Sequence, residues 1–248
     1  MTLDRTIALV TGANKGIGRE VALQLAKDHG YMVLLGCRNA TIAADMASDL
    51  QANGYSAEPL PLDLDSDGSI SSAVERIDQT YGRLDVLVNN AGVLLDAWAP
   101  GMTKLSTREV YTKTYTTNVV GTACLTEALL PLLRKAAPTP PRVVFVSSHL
   151  GSLTEGLNRQ GMFFHADLQA YMSSKAAVNR MALVYSRMLE DVGGLVNLVA
   201  PGFVQTDLTN NHPAGTTARE GAERIVELAV GKAGPTATFT DKNGPVPW

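Results

Sequence analysis

Short, mostly apolar runs of strand length alternate with longer helical patterns along nearly the whole chain. That alternation constrains the fold more than any other feature. "TIALV" (Thr6–Val10) and "YMVLLG" (Tyr31–Gly36) come first, and "AEPLPLDL", "LDVLVNN", "RVVFVSS", "LVNLVA" and "TATFT" follow in order. Between them lie the helical stretches "REVALQLAKDHG", "ATIAADMASDLQANG" and "ISSAVERIDQTYG", a long helix over about Thr114–Lys135, and "AYMSSKAAVNRMALVYSRMLEDVG". A strand that is apolar at successive positions is buried on both faces, and the intervening helices supply the cover. The expected fold is α/β: a single doubly wound Rossmann domain over residues 1–248. Its parallel sheet has about seven strands, with helices on both faces. No stretch reads as a linker, a repeat or a low-complexity segment.

Composition removes several functional classes. The 248 residues are 45% hydrophobic and 18% charged, a balance that builds a globular core. A formal net charge of −3 offers no basic surface for nucleic acid. Two cysteines, Cys37 and Cys124, are too few for a disulfide framework and suit a reducing compartment, so the expected location is cytoplasmic. Four histidines and two cysteines without clustered spacing give no metal site. No apolar run approaches membrane-spanning length, and "MTLDRTIALVTG" does not read as a signal peptide. The long helix carries Val119, Val120, Ala123, Cys124, Leu125, Leu129 and Leu130 nearly all round. A helix apolar on every side is covered on every side, so a partner subunit is expected on the face away from the sheet, in a homo-oligomer (dimer or tetramer).

The first strand runs into "TGANKGIGRE", with Gly12, Gly16 and Gly18 just ahead of the first helix. The spacing G-x-x-x-G-x-G differs from the usual G-x-G-x-x-G, but the physics is the same. Glycines let the backbone turn tightly and approach a pyrophosphate, and the helix N-terminus offers free N–H groups to the anion. After the second strand the chain reads "LLGCRNAT". An acid there would hold the ribose hydroxyls of NAD. Instead Cys37 occupies that place, Arg38 follows it, and Lys15 adds a cation in the glycine loop. Two cations and no acid suit the 2′-phosphate of NADPH, which arginine grips with a planar fork.

With these motifs assembled, the chain resembles the short-chain dehydrogenase/reductase family, and most closely its NADPH-dependent carbonyl reductases. "TGANKGIG" resembles the cofactor loop, "NNAG" (Asn89–Gly92) the motif after the fourth strand, and "TTNVVGT" the long helix with its asparagine, Asn118. "VSS", "YMSSK" and "PGFVQT" (Pro201–Thr206) complete the order. The resemblance implies a catalytic tetrad of Asn118, Ser148, Tyr171 and Lys175, with Ser147 the competing serine. Strand alternation keeps the two serines from pointing the same way. The resemblance also implies a cofactor cradle of Gly12, Asn14, Lys15, Gly16, Ile17 and Gly18, with Arg38 at the adenosine phosphate and Asp63 and Leu64 beside the adenine. Asn90, Ala91 and Gly92 lie by the ribose, and Lys175 donates to its hydroxyls. Tyr171 stands by the nicotinamide, and Pro201, Gly202, Val204 and Thr206 hold that end, Thr206 through the carboxamide. Asn118 is expected to hold a water that links Lys175 to solvent.

These residue types suit carbonyl reduction. The carbonyl oxygen needs a proton donor, and an ordinary tyrosine has a pKa of about 10. Tyr171 and Lys175 stand at i and i+4, one above the other on a helix, and a nearby ammonium is expected to lower the phenol toward neutral pH. Tyr171 is the one tyrosine of seven with a lysine four residues on. Ser148 offers a hydroxyl to charge developing on the oxygen. In isolation, a Y-x-x-x-K pair is usually surface decoration, a strand-end serine a turn residue, and an asparagine in an apolar helix a satisfied core amide. His149 is as ordinary a loop residue as a pocket residue. The spacer His149–Ala170 carries Leu150, Leu153, Leu157, Met162, Phe163 and Phe164, expected either as an apolar pocket wall or lid or as subunit contacts. Phe203–Gly215 is expected as a mobile loop over the nicotinamide. The expected substrate is a small ketone or aldehyde with apolar substituents. A family dehydrogenase oxidising an alcohol, sugar or steroid, and a non-catalytic NADP(H)-binding regulator, are the competing functions.

Overall fold

The computed structural model describes residues 5–96 and 105–248. Residues 1–4, the start of the stretch read above as lacking a signal peptide, lie outside them. The described elements run β1 (Ile7–Thr11), α1 (Gly16–His29), β2 (Met32–Cys37), α2 (Ala40–Ala52), β3 (Ala57–Pro61), α3 (Asp67–Tyr81) and β4 (Val86–Asn89). Next come α4 (Thr107–Tyr115), a π turn (Thr116–Gly121), α5 (Thr122–Leu133), β5 (Arg142–Val146), α6 (Leu153–Leu157), α7 (Gln169–Met188) and β6 (Leu195–Val199). The chain closes with α8 (Ala218–Val230), β7 (Phe239–Asp241) and β8 (Gly244–Pro245). The sheet order is β3-β2-β1-β4-β5-β6-β7-β8. Seven strands are parallel, as expected, and the eighth is a two-residue antiparallel addition beside β7.

Alternate strand residues feed two separate cores, which is what a doubly wound sheet requires. Ile7 and Leu9 of β1, with Val143 and Phe145 of β5, pack against α3, α5 and α7. Ala8 and Val10, with Val144 and Val146, pack against α1, α2 and α8. Most helices start with a local cap. Asn39 caps α2 and Ser66 caps α3, while Ser106 with Glu109 and Thr217 with Glu220 form capping boxes on α4 and α8. Three helices start without one: α1, at Lys15, α5, which continues directly from the π turn at Gly121, and α7, at Leu168.

Three sequence expectations change. Helix α8 went unread, although its capping box and its apolar positions Ala222, Ile225, Val226 and Ala229 mark it. The long helix begins at Thr107 rather than near Thr114, and its centre is wound as a π turn. From Thr107 to Leu133 it is 27 residues long, and an 18-residue window within it has mean hydropathy 1.2, enough by length and composition to cross a membrane. The expectation that no stretch reaches that length is therefore corrected. Its apolar positions are spent within the fold: Leu125, Leu129, Leu132 and Leu133 lie in the core against the sheet. The opposite side retains Val120 at 53% exposure.

Candidate active site

A cavity of about 500 Å³ opens at the carboxyl ends of the parallel strands. It lies where the strand order reverses between β1 and β4, the place an open α/β sheet binds ligands. Each of the expected cofactor residues lines it, from Gly12 through Arg38, Asp63 and Asn90 to Thr206. Of the expected tetrad, Ser148, Tyr171 and Lys175 line it and Asn118 stands behind it.

The glycine turn is built for close approach. Gly12 and Gly16 have φ of +65° and +52°, which side-chain-bearing residues rarely adopt. A Cβ on Gly18 would lie 2.4 Å from the Gly12 carbonyl oxygen and 2.5 Å from Asn90 Nδ2. Helix α1 begins there with no side-chain cap, leaving its first amides to an anion. This cradle fits the pyrophosphate of a dinucleotide. Arg38 lines the cavity, and Cys37 beside it is buried, its thiol pushed up by that burial. Lys15 also lines the cavity, and its ammonium is 2.7 Å from the Asp207 carboxylate, tying the glycine turn to the segment after Thr206. That segment is folded as a short 3₁₀ turn, Asp207–Thr209, with Val204 bridged to Thr216.

Thr11, unassigned from sequence, joins the first two strand ends of the site. Its hydroxyl accepts from the amides of Asn90 (3.0 Å) and Ala91 (2.9 Å), while Asn90 Nδ2 donates to the Thr11 carbonyl at 2.8 Å. Gly92 packs so closely that a Cβ there would sit 3.2 Å from Asn118 Oδ1 and 3.6 Å from Lys175 Nζ. Asn118, 2% exposed, uses its amide on the backbone: Oδ1 accepts from Val93 N–H at 2.8 Å and Nδ2 donates to the Val93 carbonyl at 2.9 Å. Nδ2 also reaches Ser174 Oγ at 3.1 Å. The side chain expected to hold a water for Lys175 thus serves first as a clamp that ties the long helix to the loop after β4 and to α7. Asn118 is carried by the π turn, a winding that is rare in helices.

The two serines have different partners. Ser147 Oγ donates to Asn179 Oδ1 in the interior, whereas Ser148 Oγ accepts from the Leu150 amide and stands near enough to the Tyr171 phenol to pull its pKa down. Tyr171 and Lys175 share one face of α7, the ammonium 5.5 Å from the ring centroid. Lys175 Nζ donates to the Val146 carbonyl at 2.8 Å. Burial dominates both titrations. It pushes Tyr171 up to about 12, against the pull of Ser148, and brings Lys175 down to about 8. The expected lowering of the phenol by the lysine is corrected: the ammonium is directed at a carbonyl and the ring face, and desolvation outweighs it.

The apolar spacer does not form the cavity wall. None of Leu150, Leu153, Leu157, Met162, Phe163 or Phe164 lines the cavity, and Leu153, Leu157 and Met162 are 72%, 79% and 81% exposed. Val93, Leu94, Leu95 and Leu208 supply apolar lining instead. His149 stays out of the cavity as well. It sits between Glu155 (2.9 Å) and Asp241 (3.4 Å) and stacks on Phe163. Among the described residues no cluster of His, Cys, Asp or Glu could hold a metal ion.

Comparison with known proteins agrees with this geometry. Residues 6–217 match the short chain dehydrogenase family. The chain is 33% identical over 243 residues to the short-chain dehydrogenase/reductase eupG of Phoma sp, covering 92% of this chain and 87% of that one. Salutaridine reductase from Papaver somniferum superposes with a TM-score of 0.79 at 29% identity, over 95% of this chain and 99% of that one. The Pseudomonas aeruginosa RhlG/NADP active-site complex gives 0.81 at 28% identity, over 97% and 96%. The glycine turn, the Tyr171–Lys175 face and the match over most of the sequence converge on one conclusion: the chain belongs to the short-chain dehydrogenase/reductase family.

Proposed function

We propose that this oxidoreductase is an NADPH-dependent carbonyl reductase acting on a ketone or aldehyde with apolar substituents. One observation carries the reading. The Tyr171 phenol, the Ser148 hydroxyl and the Lys175 ammonium line the same cavity as the glycine turn and Arg38. The dinucleotide, when bound, supplies the hydride. The chain's own residues manage the oxygen. Ser148 holds the carbonyl oxygen and stabilises charge as it develops. Tyr171, protonated through the neutral range at a pKa of about 12, donates its proton to that oxygen. Lys175 stabilises the phenolate left behind and offers its donors to the ribose. Solvent then returns the proton to Tyr171 Oη. Arg38 and Lys15 supply cations for a 2′-phosphate, and the RhlG relative was solved as an NADP complex. Leu94, Leu95 and Leu208 supply an apolar wall.

The test is NADPH oxidation followed at 340 nm across aryl and alkyl ketones and aldehydes, with NADH in parallel. Turnover with NADPH is expected for apolar carbonyls, and flat absorbance across the panel overturns the reading. In Tyr171→Phe, turnover drops by at least ~10²-fold, as expected for loss of a general acid, while NADPH still binds by fluorescence titration. Undiminished turnover in that variant removes Tyr171 as the donor.

A further inference from the structure

We propose that Asp96 is a positioning residue for this reaction. From the loop after β4, its carboxylate caps the first turn of the catalytic helix and sets where Tyr171 stands against the cofactor cradle. The proposal rests on the reductase reading above.

Helix α7 begins at Leu168 with no side-chain cap of its own and no acid in its first turn. The cap comes from 74 residues away. Asp96 Oδ1 accepts from the Ala170 amide at 2.9 Å, and Oδ2 accepts from the amide of Tyr171 itself at 3.1 Å. Both carboxylate oxygens are therefore committed to α7, and Asp96 is only 7% exposed. A carboxylate at a helix N-terminus satisfies amides that have no partner in the helix and sits at the positive end of its dipole. Bonds to an ionised acceptor are the stronger kind. Of the other two helices without a side-chain cap, α5 continues from the π turn and α1 starts at the cavity. So the catalytic helix is the one whose start is fixed by a distant loop.

That loop is also the wall of the site. At its beginning, Asn90 and Ala91 hang from Thr11 at the glycine turn. In its middle, Val93 is clamped by Asn118, which also reaches Ser174, the neighbour of Lys175. At its end, Asp96 holds the turn that carries Tyr171. The loop is thus tied to α7 at two levels one turn apart, next to Tyr171 and next to Lys175. Removing the carboxylate frees the first turn to fray while leaving the cradle's own bonds in place. A displacement of about 1 Å at a reacting group costs on the order of 10²-fold in rate.

The experiment compares Asp96→Ala, Asp96→Asn and a distant cap removal, Thr217→Ala on α8, by kcat, NADPH affinity and melting temperature. Asp96→Ala is expected to lower kcat at least tenfold with the NADPH Kd within threefold of wild type. Asp96→Asn, which keeps one of the two capping oxygens, is expected to recover only part of that loss. Thr217→Ala is expected to lower the melting temperature and leave kcat unchanged. Should Asp96→Ala not fold, hydrogen exchange of Asp96→Asn decides: the first turn of α7 exchanges faster while α8 stays protected, and unchanged exchange overturns the proposal. Wild-type turnover combined with full kcat in Asp96→Ala overturns the positioning role and leaves the reductase reading intact. A wild-type protein that oxidises no NADPH with any carbonyl overturns the reductase reading itself, and the positioning role falls with it.

Discussion

Lys175 is held in a place that suits catalysis and strains the fold. Burial brings its pKa from 10.5 down to about 8, so the unfolded chain binds more protons between those values. Stability therefore rises with pH through that window, and the cost of burying the charge is fully present below about pH 8. Tyr171 acts in the opposite sense: raised from 10.0 to about 12, it makes stability fall as pH climbs between those values. Lys175→Met is expected to raise the melting temperature by several degrees at pH 7, at ~2–4 °C per kcal/mol for a domain of this size. The gain should shrink as the pH rises past about 8, and turnover should be absent throughout. A melting point unchanged at pH 7 argues against a strained lysine. Tyr171, Lys175 and the three glycines were legible in the sequence because their relations are local, at i,i+4 or within one turn. Thr11 and Asp96 were not, because their partners lie 74 or more residues away. The direction of the Tyr171 shift was misjudged for a related reason: spacing shows that a lysine is near, whereas burial depends on the whole fold.

At the scale of elements, the π turn in the long helix is the most informative departure. Asn118 and Gly121 both sit in it. A Cβ on Gly121 would lie 2.2 Å from the Leu64 carbonyl oxygen, so the helix touches the loop after β3 backbone to backbone. Thr117 Oγ1 reinforces that contact by donating to Asp65 at 2.8 Å. Gly121→Ala is expected to cost about 1–3 kcal/mol, as overpacking does. It should also weaken NADPH binding, because Leu64 and Asp65 line the cavity. A calorimetric scan and a fluorescence titration check the two effects, and normal values in both would show that the contact yields without strain. The helix itself was readable from its apolar run, but its π turn was not, because the period of a pattern does not show where one residue is accommodated. Helix α8 has a local signal in the sequence: Thr217 and Glu220 have the spacing of a capping box.

At the scale of the molecule, the strand alternation predicted the parallel doubly wound sheet, and the structure adds the order that places the cavity between β1 and β4. The exposed Val120 and the half-buried Val119, Ala123 and Leu130 leave an apolar flank on the long helix. We expect a second copy to cover it, and light scattering that gives a monomer at micromolar concentration counts against that. The cavity draws residues from Gly12 to Thr209, so a ligand in it braces nearly the whole sheet. NADPH at ~100 times its Kd adds ~2.7 kcal/mol of stability, which at this size is about 5–10 °C of melting temperature. NADH at the same concentration should give a smaller shift, and equal shifts would remove Arg38 as the discriminating residue. The same spread of lining residues has a consequence for how the protein is made. The glycine turn leaves the ribosome early, but Pro201–Thr209, which close the far wall, leave late, and Ala8 must still find Val86 across the chain. A half-synthesised copy therefore carries the phosphate turn with no wall opposite it. A dinucleotide that needs both walls is therefore expected to bind only the finished molecule.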